Sequence, residues 1–470
     1  MIIKTVFQYE WKLFRRNKAM LAALSVMLLV GLYAIYYAHS FNATQLRTIY
    51  TLDTACQNRM QTQVNNFAAD TSTKEGKDKY KHAHDPFMNE WFMRSMIWKT
   101  PEPLQALSIG QSDNQPFFFG LWVYNDNIYT SKKIELRNPD KLQAGNFDLA
   151  FVIIYLFPLL IIAFNYSVYS NDMERGTYAL LRAHGISLNR IISGRLLFRL
   201  AFVEGLNILL TVLAFAANDI FSIALFSAWL FISSMYIFFW FSLAYLIVMF
   251  RKSSTLSALL LISSWIALLL VIPPIFNDAQ KEHDAERIEL SDADREYSIH
   301  LWDLWQSKSP HLFDTLYIIE PQWKQYAVKD SEEMRSVAYS YLDIVHLNQK
   351  GWEADSLLLV RQHQQLTYRL LNPAYTAQYA LNQLAGTETD KFIQFRKSAA
   401  AYHRQRAGYL AALRIPAKPF TMQELKGYPV FKQPALSPTF RQVPELAYPL
   451  VILMLVCWIA AIILRNPKSD

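Results

Sequence analysis

Cysteine is scarce in this chain: Cys56 and Cys457 are the only two in 470 residues. That excludes a disulfide scaffold and a Cys-rich zinc module. Glycine is thin as well, at 13 residues, and none of the glycines falls in a G-x-x-x-x-G-K-[ST] pattern. The chain therefore holds no Walker-type phosphate loop. Neither H-E-x-x-H nor G-x-S-x-G occurs, so the common zinc-hydrolase and serine-hydrolase signatures are missing too. Charge is low, at 18% of residues, against about 25% in an ordinary soluble domain. The deficit is local. Several runs of about 20 residues, the length that spans a bilayer, have little or no charge, whereas the rest of the chain is ordinary. A disordered chain and a simple soluble enzyme are both excluded.

What is present is apolar length. A bilayer core about 30 Å thick takes about 20 apolar residues of helix. Six segments qualify: Ala19–Ala38, Leu149–Ser170, Leu196–Ala217, Phe221–Phe250, Ser253–Phe276 and Leu446–Leu464. The second contains Pro158 and Asn165, and the third contains the ionisable residues Arg199 and Glu204. The fourth is an uncharged stretch of 30 residues, roughly 45 Å as helix, so it must tilt, break or extend beyond the lipid. The first run exceeds the usual signal-peptide core of about 7–15 residues and no A-x-A site follows, so it reads as a retained anchor.

Basic residues orient the spans. Residues 1–18, 171–199, 251–252 and 465–470 together carry 14 basic and 4 acidic residues, while the whole chain is only +7. All four segments fall on one side if the spans alternate, which places both termini in the cytoplasm. The excess is explained by topology, and no nucleic-acid partner is needed. The expected fold is a polytopic α-helical membrane protein with six transmembrane helices. Two inserts, 39–147 and 277–443, would build a mixed, mostly helical extracytoplasmic domain, as one body or two.

Within this frame, residues 1–18 read as an amphipathic interfacial helix, with Glu10 interrupting its apolar stripe. Residues 45–66, 332–348, 352–371, 374–385 and 388–413 read as helices. Residues 71–85 read as a polar loop or charged helix, 117–124 as an apolar strip or strand, and 277–308 as a solvated helix. Six prolines between Ile415 and Pro444 mark an extended connector leading back to the membrane. The tail is 465–470. His82-Ala83-His84-Asp85 reads as a loop rather than a metal site, and no metal is expected.

The informative segment is 171–195, between the second and third spans. Acidic Asp172 and Glu174 lead and basic residues follow, which suits a short helix dipole. Leu180 and Leu181 are placed to fill a pocket on another protein, and Gly176 and Gly185 to break the helix on either side. Glu204 lies less than two turns from Arg199, which favours a structural ion pair or a snorkelling arrangement near the cytoplasmic face over a transport role.

Glu174-Arg175-Gly176-Thr177, then Leu180-Leu181, then a small-residue turn, Arg190 and Gly194-Arg195, resembles the first cytoplasmic loop of type-2 ABC exporter permeases. The six-span plan and the N-terminal helix are similar to that family as well. The family often has a proline-containing turn where this chain reads Ala183-His184-Gly185-Ile186. The large inserts resemble a bacterial subgroup whose outer domain has no assigned function. Its signature is similar to Asn372-Pro373-Ala374-Tyr375 through Gln378, Leu384-Ala385-Gly386-Thr387 and Phe392. The likeness is loose over the whole chain and close over about 60 residues.

The resemblance implies a permease subunit exporting a substrate across the bacterial inner membrane, with its large domain on the periplasmic side. It implies two copies of a separate ABC ATPase carrying ATP and Mg, no cofactor bound by this chain, and a second permease, identical or paralogous. An extracytoplasmic accessory protein is a further candidate partner. Glu174, Arg175, Gly176, Thr177, Leu180, Leu181, His184 and Gly185 would form the ATPase-coupling contact. The competing reading is a membrane-anchored assembly, sensor or force-transmitting protein whose outer domain binds a partner without moving cargo. An extracytoplasmic enzyme is the third reading, and no catalytic constellation supports it.

Overall fold

Among the described residues, six helices are long and apolar enough to cross a membrane by length and composition. The computed structural model describes residues 2–92, 95–123, 128–129, 146–174, 176, 188–250, 253–273, 296–297, 299–326, 331–367, 370–436 and 442–463. An amphipathic helix α1 (Ile2–Arg16) precedes α2 (Lys18–Phe67), whose first half is the first span. The remaining spans are α4 (Leu149–Glu174), α5 (Leu188–Ala217), α6 (Ile223–Met249), α7 (Ser254–Val271) and α11 (Val443–Ile463). Helix α3 (Lys74–His84) and strands β1 (Ser95–Trp98) and β2 (Phe118–Leu121) lie between α2 and α4. Helices α8 (Glu332–Thr367), α9 (Pro373–Ala385) and α10 (Thr389–Arg414) lie between α7 and α11.

Helix α2 does not stop where its apolar run ends. The whole helix is 50 residues long, roughly 75 Å, so residues 45–66 extend the first span in one unbroken helix. No Pro occurs in this stretch. Thr44, Thr48, Thr51, Thr54 and Thr62 each donate to the carbonyl four residues back, which satisfies their hydroxyls inside the helix. In the same way 332–348 and 352–371 are not two helices, because α8 runs through Gly351 unbroken. Most of 277–308 lies outside the described residues.

Span α4 carries a proline, and the consequences are visible. Pro158 has no N–H to give the carbonyl of Ile154, and its ring crowds that carbonyl. The backbone widens into a π turn over Val152–Leu156. The Ile154 carbonyl accepts instead from the Tyr236 hydroxyl on α6, at 2.8 Å. The neighbouring Tyr155 carbonyl accepts from the indole of Trp265 on α7, at 3.1 Å. The irregular backbone of one span is thus satisfied by polar tips from two others.

The two inserts share one body. Strands β1 and β2 pair antiparallel, with Ser95 opposite Leu121 and Trp98 opposite Phe118. Ile97, Phe119 and Leu121 pack in one apolar cluster with Phe392, Phe395 and Ala399 of α10. At its centre Glu90 and Arg406 form a fully buried ion pair. The Val123 N–H and the Tyr428 hydroxyl also donate to Glu90, at 3.1 and 3.0 Å. The domain meets the bundle through α9. Asn372 caps this helix from the side chain, accepting from Ala374 and Tyr375 N–H, and Pro373 takes the first helical position. Gly386 ends it in the left-handed conformation, φ +66°. Its buried Ala377, Ala380, Leu381 and Leu384 join the core cluster of the spans.

Candidate coupling site at the basic end of the bundle

The end of the bundle that carries α1, the end of α4 and the starts of α5 and α7 holds a buried charge network. Apolar spacing on α1 turns Phe7 and Phe14 onto α5, where Phe7 meets Phe198 edge-on at 5.4 Å and Phe14 meets Phe202 at 4.4 Å. Glu10 lies on that same face and is 4% exposed. Its carboxylate pairs with Arg195 at 3.1 Å and with Arg199 at 3.4 Å. Arg195 reaches onward to Asp172 at 2.6 Å and to the carbonyl of Val168 at 2.9 Å, and Arg199 donates to the carbonyl of Phe164. One acidic residue of α1 is thereby tied through two arginines of α5 to the last turns of α4. Buried charges persist only when paired in this way.

The sequence reading of Glu10 as a flaw in an apolar stripe is corrected: it is the hub. An acid on the apolar face of a helix, in a chain with arginines at the start of a span, was the available signal. An Arg199–Glu204 pair is corrected as well. Five residues of α-helix separate two side chains by about 140° around the axis, so Arg199 faces α1 and Glu204 faces away. Glu204 accepts from the Ser234 hydroxyl of α6 at 2.9 Å and from the Asn207 amide at 3.4 Å.

Glu174 sits on the final turn of α4, and its Oε1 accepts from the Ser254 N–H at 3.1 Å and the Ser254 hydroxyl at 2.6 Å. Ser254 opens α7, whose first N–H groups lack helical partners, so Glu174 acts as a cap supplied from another span. Two residues on, Gly176 has φ +71° and a Cβ there would touch nothing within 4 Å. Its glycine serves backbone conformation and not packing. Arg175, Thr177, Leu180, Leu181, His184 and Gly185 lie outside the described residues. His82 and His84 fall on α3 two residues apart, a spacing that does not bring side chains together on a helix. Cys56 on α2 and Cys457 on α11 are both free.

A family model described as ABC-2 family transporter protein matches residues 4–464, and the chain belongs to that family. It is therefore a multi-pass membrane component of the ABC-transporter permease type, one that works with an ABC ATPase and is not itself the ATPase. No curated protein and no solved structure matches the chain.

Proposed function

We propose that this chain is half of an ABC exporter and that the 171–195 segment, between the second and third spans, carries its coupling element. Two copies of a separate ATPase bind ATP and Mg and displace that loop, while this chain binds no cofactor of its own. A second permease, identical or paralogous, completes the pathway. The basic end faces the cytoplasm, and the domain stands on the extracytoplasmic side of a bacterial inner membrane.

The observation that carries the proposal is the double attachment at the end of α4. Asp172 binds Arg195, and through it α5 and α1, while Glu174, two residues later, holds the start of α7. A push on the loop moves α4, α5, α7 and the interfacial helix together, which is how a local displacement becomes a switch between two packings. Glu174 then serves the coupling by transmitting motion within the chain, and Arg175, Thr177, Leu180, Leu181, His184 and Gly185 remain the residues proposed to meet the ATPase.

The test is reconstitution with the ATPase. Glu174→Ala and Gly176→Val should insert normally and bind the ATPase, yet fail to couple hydrolysis to transport. Full coupling in both variants refutes the assignment, as does finding the 171–195 segment accessible only from outside the cell.

One observation favours the second reading, force transmission. Helix α9 ties the domain into the packed spans, so movement of α6 and α11 is carried directly into the domain. ATP-driven movement of the domain in sealed vesicles without flux would decide for it.

A further inference from the structure

The domain carries a cleft of about 650 Å³, within the range of about 300–1,000 Å³ typical of ligand sites. Its floor is one face of α10, where Ala401, Gly408 and Ala412 keep the surface low. Tyr341 and Trp352 of α8 line one wall, eleven residues apart and so on the same face, roughly 16 Å from one end to the other. The short 3-10 turn Pro321–Tyr326 supplies Trp323 and Tyr326. Trp323 and Tyr341 are buried and pack edge to face at 4.9 Å. Trp352 and Tyr326, by contrast, are 39% and 41% exposed. Large rings left in water at the mouth of a cleft, on a buried aromatic base, are placed to stack on something.

The polar lining is equally specific. Glu320, Gln322, Arg404 and Gln405 are all planar groups able to bridge two neighbouring hydroxyls. Glu320 is already pre-set: it accepts from Gln322 at 2.6 Å, from Arg404 at 3.5 Å and from the Tyr341 hydroxyl. Its charge is balanced by Arg404, so the cleft selects for neither a cation nor an anion. Peptide ligands are poorly served. Among the described residues the walls are helical, with backbone groups already used, and they offer no strand edge. Nor, among the described residues, does the lining contain any Leu, Ile, Val or Met to hold an amphipathic helix.

We propose that this cleft binds a neutral oligosaccharide, with the apolar face of a sugar ring stacked on Trp352 and Tyr326 and its hydroxyls bridged by the carboxylate, guanidinium and amide groups. Coupling to an ATPase is not required for this site, so the two proposals stand or fall separately.

The test uses the purified full-length chain in nanodiscs, titrated with cellohexaose, chitohexaose and maltohexaose and followed by tryptophan fluorescence and calorimetry. At least one sugar should bind saturably. Trp352→Ala and Tyr326→Ala should each weaken that binding by about tenfold or more, as truncating an anchoring aromatic does, and Trp352→Phe should retain most of it. Both rings are more than half covered, so the alanine variants should lose some thermal stability, and binding is compared at a temperature where every variant is folded. No saturable binding of any of the three sugars overturns the proposal. Affinity indifferent to both alanine variants does so too, and so does binding of a random hexapeptide pool without any response to sugars.

Discussion

Replacing Tyr236 by Phe removes one oxygen from a fully buried side chain and nothing else from the packing. That oxygen donates to Ile154, the carbonyl that Pro158 leaves without its helical partner. In a span there is no water to take over. Leaving a buried carbonyl unsatisfied costs about 1–3 kcal/mol, and the ring itself stays in place, so the expected loss is about 2 kcal/mol. Pro158→Ala restores an N–H able to reach Ile154. In the wild-type background that change should be nearly neutral, because the carbonyl is already bonded. In the Tyr236→Phe background it should recover about 1–2 kcal/mol of the loss. Equilibrium unfolding by SDS titration in bicelles, run on all four proteins, measures the coupling directly. If Tyr236→Phe is neutral, or if the double variant costs the sum of the singles, the account of how α4 and α6 are joined is wrong.

The buried Glu90–Arg406 pair should behave as a unit. Either Glu90→Met or Arg406→Met alone leaves a buried charge unpaired, at a cost of about 3–5 kcal/mol, and the double variant should cost less than either single in the same unfolding assay. Stability should also depend on pH through the domain. Burial, with Asp390 adding repulsion, pushes the Glu388 carboxyl up to about 7 from the ordinary 4.5. Burial likewise pushes Asp148, just outside the second span, up to about 7. A folded state that holds a proton the unfolded chain has released loses stability as pH rises through that window. Thermal midpoints should therefore fall between about pH 4.5 and about pH 7 and level off above it. Glu388→Gln should reduce the slope, leaving the part due to Asp148. A flat wild-type profile, or a slope untouched by Glu388→Gln, would count against this.

The six apolar runs were legible because a bilayer demands length and lack of charge, and both are written along the chain. The ends of those runs were not. Helix α2 carries on through a polar stretch because nothing in it breaks a helix, and composition marks where an apolar run ends but not where a helix ends. Pro158 was visible in the second span, but the sequence was silent on how the carbonyl it leaves open is satisfied, since Tyr236 and Trp265 are 78 and 107 residues away. Glu10 looked like an error on an apolar face for the same reason: its partners belong to another helix.

By itself the sequence determined the number of apolar helices, the family, and which loop joins the second and third spans, because hydropathy and short motifs are local properties. Only the tertiary structure decided that Glu10 is paired, that Arg199 turns away from Glu204, that Glu174 caps a different span and that the two inserts share one core. Each of these is a contact between residues far apart in the chain, set by which helix faces meet once the apolar surfaces have packed.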